Sequence, residues 1–181
     1  MLGIDPGSLK TGWGVVEVQG SQVTYQDSGI LKLGNGPMAE RLMRLHQGLE
    51  SVMARFSPTE CAVEEVFLAK NFQSALKLGQ ARGVAILAAG MHQVPVQEFA
   101  AKTVKQSICG QGQATKAQMQ AMVIRILGLS ENPGEDAADA LGIALCCAHA
   151  KTGAGADARF RLSTRARGRS QRRWRLEEGS E

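Results

Sequence analysis

An α/β fold is predicted for this 181-residue chain, with a mixed sheet of about five strands and helices on both faces. Three observations predict it. Apolar stretches of strand length, at 1–5, 61–67 and 94–99, are each bounded by turn residues. Two longer β-rich stretches sit back to back at 12–32. Segments with helical spacing fill the remainder, so the order reads βββαβαβααα.

The opening "MLGIDPGS" is a buried strand cut short by a carboxylate. Met1, Leu2 and Ile4 suit a core strand, and Pro6-Gly7-Ser8 turns the chain immediately. Asp5 therefore falls at the carboxyl end of the first strand. Ligands bind just outside such ends in sheets covered by helices, although Asp before Pro-Gly is also an ordinary turn. Residues 12–19 and 22–32 read as a hairpin joined by Gly20-Ser21.

Residues 37–56 form an amphipathic helix on the stripe Met38, Leu42, Leu45, Leu49, Val52 and Phe56, with Arg41, Arg44 and Glu50 off it. "SPTE" ends that helix, and "CAVEEVF" at 61–67 is a short strand. Residues 71–90 form a second, mostly buried helix. Gly79 and Gly83 within it each cost roughly 1 kcal/mol relative to Ala, which suggests close approach by another backbone, in this chain's sheet or in a second copy. "VPVQEF" at 94–99 reads as a buried parallel strand. Helices follow near 100–108 and 115–127, with the loop "GQGQA" between them, and a last helix spans about 134–150.

Residues 1–150 hold 12 basic and 13 acidic side chains, and residues 151–181 hold 9 and 4. A near-neutral domain, 1–152, thus carries a basic tail, 153–181, poor in apolar residues. No apolar run has the length of a membrane span and no signal-peptide pattern opens the chain, so a cytoplasmic protein is expected. Cys61, Cys109, Cys146 and Cys147 lack metal-site spacing and read as reduced, small core residues, while His46, His92 and His149 lie far apart.

Acids stand where apolar residues are expected at three places. Asp5 ends the first strand, Glu64 or Glu65 sits in "CAVEEVF", and Asp136 and Asp139 share a face of the last helix, which is otherwise Ala, Leu and Ile. Strand alternation sends Glu64 and Glu65 to opposite faces, so one of them can join Asp5. Four converging carboxylates repel one another unless a cation intervenes. Oxygen ligands suit Mg²⁺ or Mn²⁺, and two such ions about 4 Å apart can activate water for phosphodiester hydrolysis.

"GIDPGSLKTGWGV", "VEEVFLAKN", "SALKLGQARG", "VKQ" and "DAADALGIA" together resemble the RuvC family of bacterial Holliday-junction resolvases, in the right order over roughly residues 1–150. The resemblance implies a ribonuclease-H-like fold, a homodimer, and cleavage of four-way DNA junctions by two symmetric nicks. It implies two Mg²⁺ or Mn²⁺ ions per subunit and, as a partner, the RuvA–RuvB branch-migration machinery. It also implies metal-binding roles for Asp5, Glu64, Asp136 and Asp139, settling Glu64 over Glu65, and places Lys105 and Lys116 near the cleaved phosphate. Phe67 is expected to stack on unpaired bases at the junction centre, and Lys10, Lys70 and Lys77 to contact DNA. Phe72 has no such match and reads as a core residue. A sugar-kinase-like ATPase would need a second lobe and a second Asp-x-Gly turn. A DNA-binding module without catalysis leaves the acids unexplained, and a related nuclease acting on other structured nucleic acid is the nearest alternative.

Overall fold

Leu2 and Ile4 are fully buried and alternate with Gly3 and Asp5, which makes β1 (Leu2–Asp5) a strand covered on both faces. The fold around it is seen in a computed structural model that describes residues 1–65 and 72–153. β2 (Lys10–Gln19) and β3 (Gln22–Lys32) form the expected hairpin, turning at Gly20, whose φ of 61° is left-handed. After α1 (Met38–Phe56), β4 (Cys61–Glu64) pairs parallel to β1. After α2 (Phe72–Met91), β5 (Val96–Phe99) pairs parallel to β4. The sheet order is β3-β2-β1-β4-β5, with β2 antiparallel to both its neighbours. α3 (Ala101–Cys109), α4 (Lys116–Leu127) and α5 (Glu135–Thr152) complete the described chain.

Two cores follow from the alternation. Leu2, Ile4, Val15, Cys61 and Val63 meet α1 and α2 on one face. Ala62, Val16 and Phe99 meet α3, α4 and α5 on the other. Helix α5 lies almost on the sheet because the strands beneath it carry glycine. A Cβ on Gly3 would run into the Ala140 carbonyl, and one on Gly12 into the Asp136 carbonyl. One on Gly14 would come 2.7 Å from Leu141 Cγ. Burial pushes the Cys61 and Cys146 thiols up to about 12 and Cys147 up to about 11, so these cysteines are neutral core residues, and all four cysteines are free.

Five expectations need correction. Arg41 is buried rather than solvated: its Nη1 donates to the Ser8 carbonyl at 2.6 Å, reaching from α1 to the turn that follows Asp5. Helix α2 is not mostly buried. Only Ala75, Ala81, Ala85, Ala88 and Ala89 are, whereas Leu76, Leu87 and Met91 are at least half exposed. Phe72 belongs to that exposed set at 70% and is no core residue. β5 is an edge strand with only Phe99 buried, because among the described residues no strand pairs with its outer side. The strand expected over 61–67 ends at Glu64, and residues 66 and 67 lie outside the described residues. Among the described residues no helix is long and apolar enough to cross a membrane.

Candidate active site

β1 and β4 run parallel in register, with Leu2 opposite Cys61 and Ile4 opposite Val63. Continuing that register brings Asp5 beside Glu64 at the carboxyl ends of both strands. Parity also decides which of the paired glutamates faces α5. Ala62 packs into the α3–α5 core and Val63 into the opposite one, so Glu64 shares Ala62's face, and Gly3's face is likewise that of Asp5. Glu65 continues the chain on the other parity, its N–H donating to the Phe99 carbonyl.

The turn after Asp5 is held at several points. Thr11 is fully buried, and its Oγ1 accepts from the Gly7 N–H and donates to the Gly7 carbonyl, each at 3.2 Å. Arg41 holds Ser8 from α1, and the Leu33 N–H donates to the Leu9 carbonyl at 2.9 Å. Sequence reasoning missed Thr11 and Arg41 as supports. Thr11 gave a signal, as a polar residue inside an otherwise apolar strand, whereas Arg41 lies off the apolar stripe of its helix and gave none.

Asp5 and Glu64 line a cavity of about 220 Å³ with Asp139 from α5, Lys105 and Val104 from α3, and Lys116 and Met119 from α4. Thr115 places Lys116 at the start of α4 by a reciprocal cap: its Oγ1 accepts from the Gln118 N–H at 3.2 Å and Gln118 Oε1 accepts from the Thr115 N–H at 2.9 Å. Burial, then the charges of Glu64 and Asp139, push the Asp5 carboxyl up to about 8. Glu64 and Asp139 are raised as well, in each case first by burial, with Lys116 and Lys105 pulling them back down. Asp5 and Glu64 are hydrogen-bonded to each other, so the proton retained near neutrality belongs to the pair.

Asp136 stands apart from the cavity lining. Its Oδ2 is 2.5 Å from Lys10 Nζ. Lys116 Nζ is 2.5 Å from Glu135 Oε1 and 3.8 Å from Asp139 Oδ2, which makes Glu135 its main partner, a residue that sequence reasoning did not single out. Among the described residues, no group of three His, Cys, Asp or Glu side chains is placed to hold an ion as it stands. Lys77 is exposed on α2 and does not line the cavity, while Phe67 and Lys70 lie outside the described residues.

Residues 1–147 match the family model described as crossover junction endodeoxyribonuclease RuvC. The chain belongs to the RuvC family. Curated RuvC relatives agree: that of Idiomarina loihiensis is 51% identical over 154 residues, covering 82% of this chain and 86% of its own. That of Marinobacter nauticus is 50% identical over 149 residues, covering 82% and 85%. Among solved structures, Thermus thermophilus RuvC in complex with a Holliday-junction substrate matches at TM-score 0.79 and 38% identity, covering 85% of this chain and 95% of that one. A yeast mitochondrial Holliday-junction resolvase matches at TM-score 0.62 and 14% identity, covering 90% and 83%, a likeness of fold alone. The RuvC fold is ribonuclease-H-like, in line with the mixed five-stranded sheet expected from sequence.

Proposed function

We propose that this chain resolves four-way DNA junctions by paired symmetric nicks, as a metal-dependent, structure-selective endonuclease. The observation that carries this reading is the meeting of Asp5, Glu64 and Asp139 with Lys105 and Lys116 around one cavity. The names borne by its RuvC relatives, and the junction bound to the Thermus protein, supply the substrate class.

The donor set fits hard divalent cations. It consists of carboxylates alone, and burial together with mutual repulsion raises Asp5, Glu64 and Asp139, a strain that added positive charge relieves. Asp5, Glu64, Asp136 and Asp139 are the residues to hold two Mg²⁺ or Mn²⁺ ions. Bound there, the ions would supply an activated water and charge stabilisation at the leaving oxygen. Asp5 and Glu64, fixed by adjacent parallel strands, give the site its rigid wall. Lys105 and Lys116 present point charges to the phosphate being cut. Phe67 stacks on bases unpaired at the junction centre, with Lys10, Lys70 and Lys77 on neighbouring phosphates.

Paired nicks require two sites. The face of α2 that carries Phe72, Leu76, Leu87 and Met91 is exposed, and among the described residues nothing outside the helix comes within 4 Å of a Cβ built on Gly79 or Gly83. The chain's own sheet therefore does not account for those glycines, and a second copy on this face does. The family resemblance alone supports the RuvA–RuvB machinery as a further partner.

The test is incubation with a synthetic four-way junction, a linear duplex and an RNA–DNA hybrid, under Mg²⁺ and then Mn²⁺. Paired nicks confined to the junction are expected. Equal cutting of the duplex or hybrid would favour a related nuclease acting on other nucleic acid.

A further inference from the structure

We propose that Lys10 is a built-in counter-cation for Asp136 that competes with the divalent ion, so that loading the site displaces it. The proposal rests on the metal-binding reading above. Lys10 Nζ lies 2.5 Å from Asp136 Oδ2, with Lys10 57% exposed and Asp136 20% exposed. The ammonium thus approaches from solvent and caps a carboxylate that is mostly buried.

The backbone dictates this contact more than the side-chain rotamer does. Lys10, Gly12 and Gly14 alternate on the α5 face of β2, and Gly12 leaves no room for a Cβ beneath the Asp136 carbonyl. A residue two positions before Gly12 on the same face is carried to the first turn of α5. That turn already holds Glu135 and Asp136 near the positive end of the helix. The geometry of the acids agrees. Asp136 is missing from the cavity lining that Asp5, Glu64 and Asp139 share, and no three acids among the described residues are placed to hold an ion together. Lys116 does not play the same part, because its short contact is to Glu135 and it stands 3.8 Å from Asp139. An ammonium and a divalent ion drawn to one carboxylate repel each other, so the ion pair with Lys10 must weaken metal binding to the free protein.

Mn²⁺ titration of the DNA-free full chain, followed by the electron paramagnetic resonance of unbound Mn²⁺, tests this. Lys10→Met and Lys10→Gln are expected to bind Mn²⁺ about two- to five-fold more tightly than wild type, the range of a solvent-exposed ion pair. Lys10→Arg, which keeps the charge, is expected to match wild type. Both neutral variants binding with unchanged or weaker affinity would overturn the proposal. Asp5→Asn in the same titration reads the underlying site separately: if it binds as wild type does, the metal-binding reading fails, whatever Lys10 does.

Discussion

Asp5 sits under two opposed demands. Its strand is buried enough to favour the neutral acid, yet holding a metal requires the carboxylate. Its raised value, about 8, means that the folded protein without metal retains a proton at neutral pH that the unfolded chain gives up near pH 4. The folded state then binds more protons than the unfolded one, so the stability that this carboxyl contributes is full below about pH 4 and is lost as pH rises towards 8. Melting temperature measured across that window in EDTA should fall with rising pH, and Mg²⁺ should lessen the fall. A metal-free melting temperature that climbs steadily through the window would contradict this. Asp5→Asn should flatten the slope and cut junction nicking on the order of 10²-fold or more, since losing a group that merely supports a ligand already costs about 10–100-fold. Gel-shift binding should stay near wild type, and Glu65→Gln should leave nicking nearly intact. Asp5 stood out in the first eight residues as a carboxylate ending an apolar strand, but before Pro-Gly it read equally as a turn residue until Glu64, Asp136 and Asp139 were set beside it. The choice of Glu64 over Glu65 was not legible from alternation alone, since nothing in "CAVEEVF" says which face α5 covers. Arg41 was misread because helical spacing places it off the apolar stripe, whereas its long stem crosses to Ser8.

Helix α5 is the element on which the site depends, because its first turns carry Asp136 and Asp139 while its length is pressed against β1 and β2. The glycine track at 3, 12 and 14 lets it lie that close. Gly12→Ala should therefore push the first turn of α5 away from the sheet, at about 1–3 kcal/mol of stability, the usual cost of overpacking. Its nicking should fall further than that loss explains, because Asp136 moves with the backbone it clashes with. Urea unfolding beside single-turnover nicking measures both, and full activity in a normally stable variant would show that the close approach is dispensable. The order of the elements was legible from periodicity, including the hairpin turn at Gly20-Ser21, while the ends of β2 and β4 were set differently from the expected 12 and 67. The exposure of α2 and of β5 was not. Counting apolar residues cannot tell a face that meets this chain's core from one that is left open, and an edge strand reads like a central one until its neighbours are known.

At the scale of the whole molecule, the acids and the basic tail leave from opposite ends of α5. The helix is eighteen residues long, about 27 Å, and its last turn is tied down by Lys151 to Glu60 and by His149 to Ser107, 3.0 Å apart. Residues 151–181 carry nine basic side chains against four acidic ones, so the tail should act on DNA through counterion release rather than at the cut phosphate. Deleting 155–181 should flatten the salt dependence of junction binding and leave nicking at low salt intact; loss of nicking there would make the tail part of the site. The other whole-molecule property is assembly. Phe72, Leu76, Leu87 and Met91 expose large apolar side chains along α2, with Gly79 and Gly83 open between them, and a self-complementary face of this kind suits a two-fold dimer. Leu87 is 56% exposed, so Leu87→Glu removes little from the core of one subunit. In a dimer it would set two carboxylates into an apolar contact, where an unpaired charge is costly to bury. Light scattering at micromolar concentration should find wild type as a dimer and Leu87→Glu as a monomer with unchanged circular dichroism. Cleavage of a junction carried on a closed circular DNA should then shift from paired to single nicks. A Leu87→Glu protein that remains dimeric and still cuts in pairs would place the subunit contact on another face.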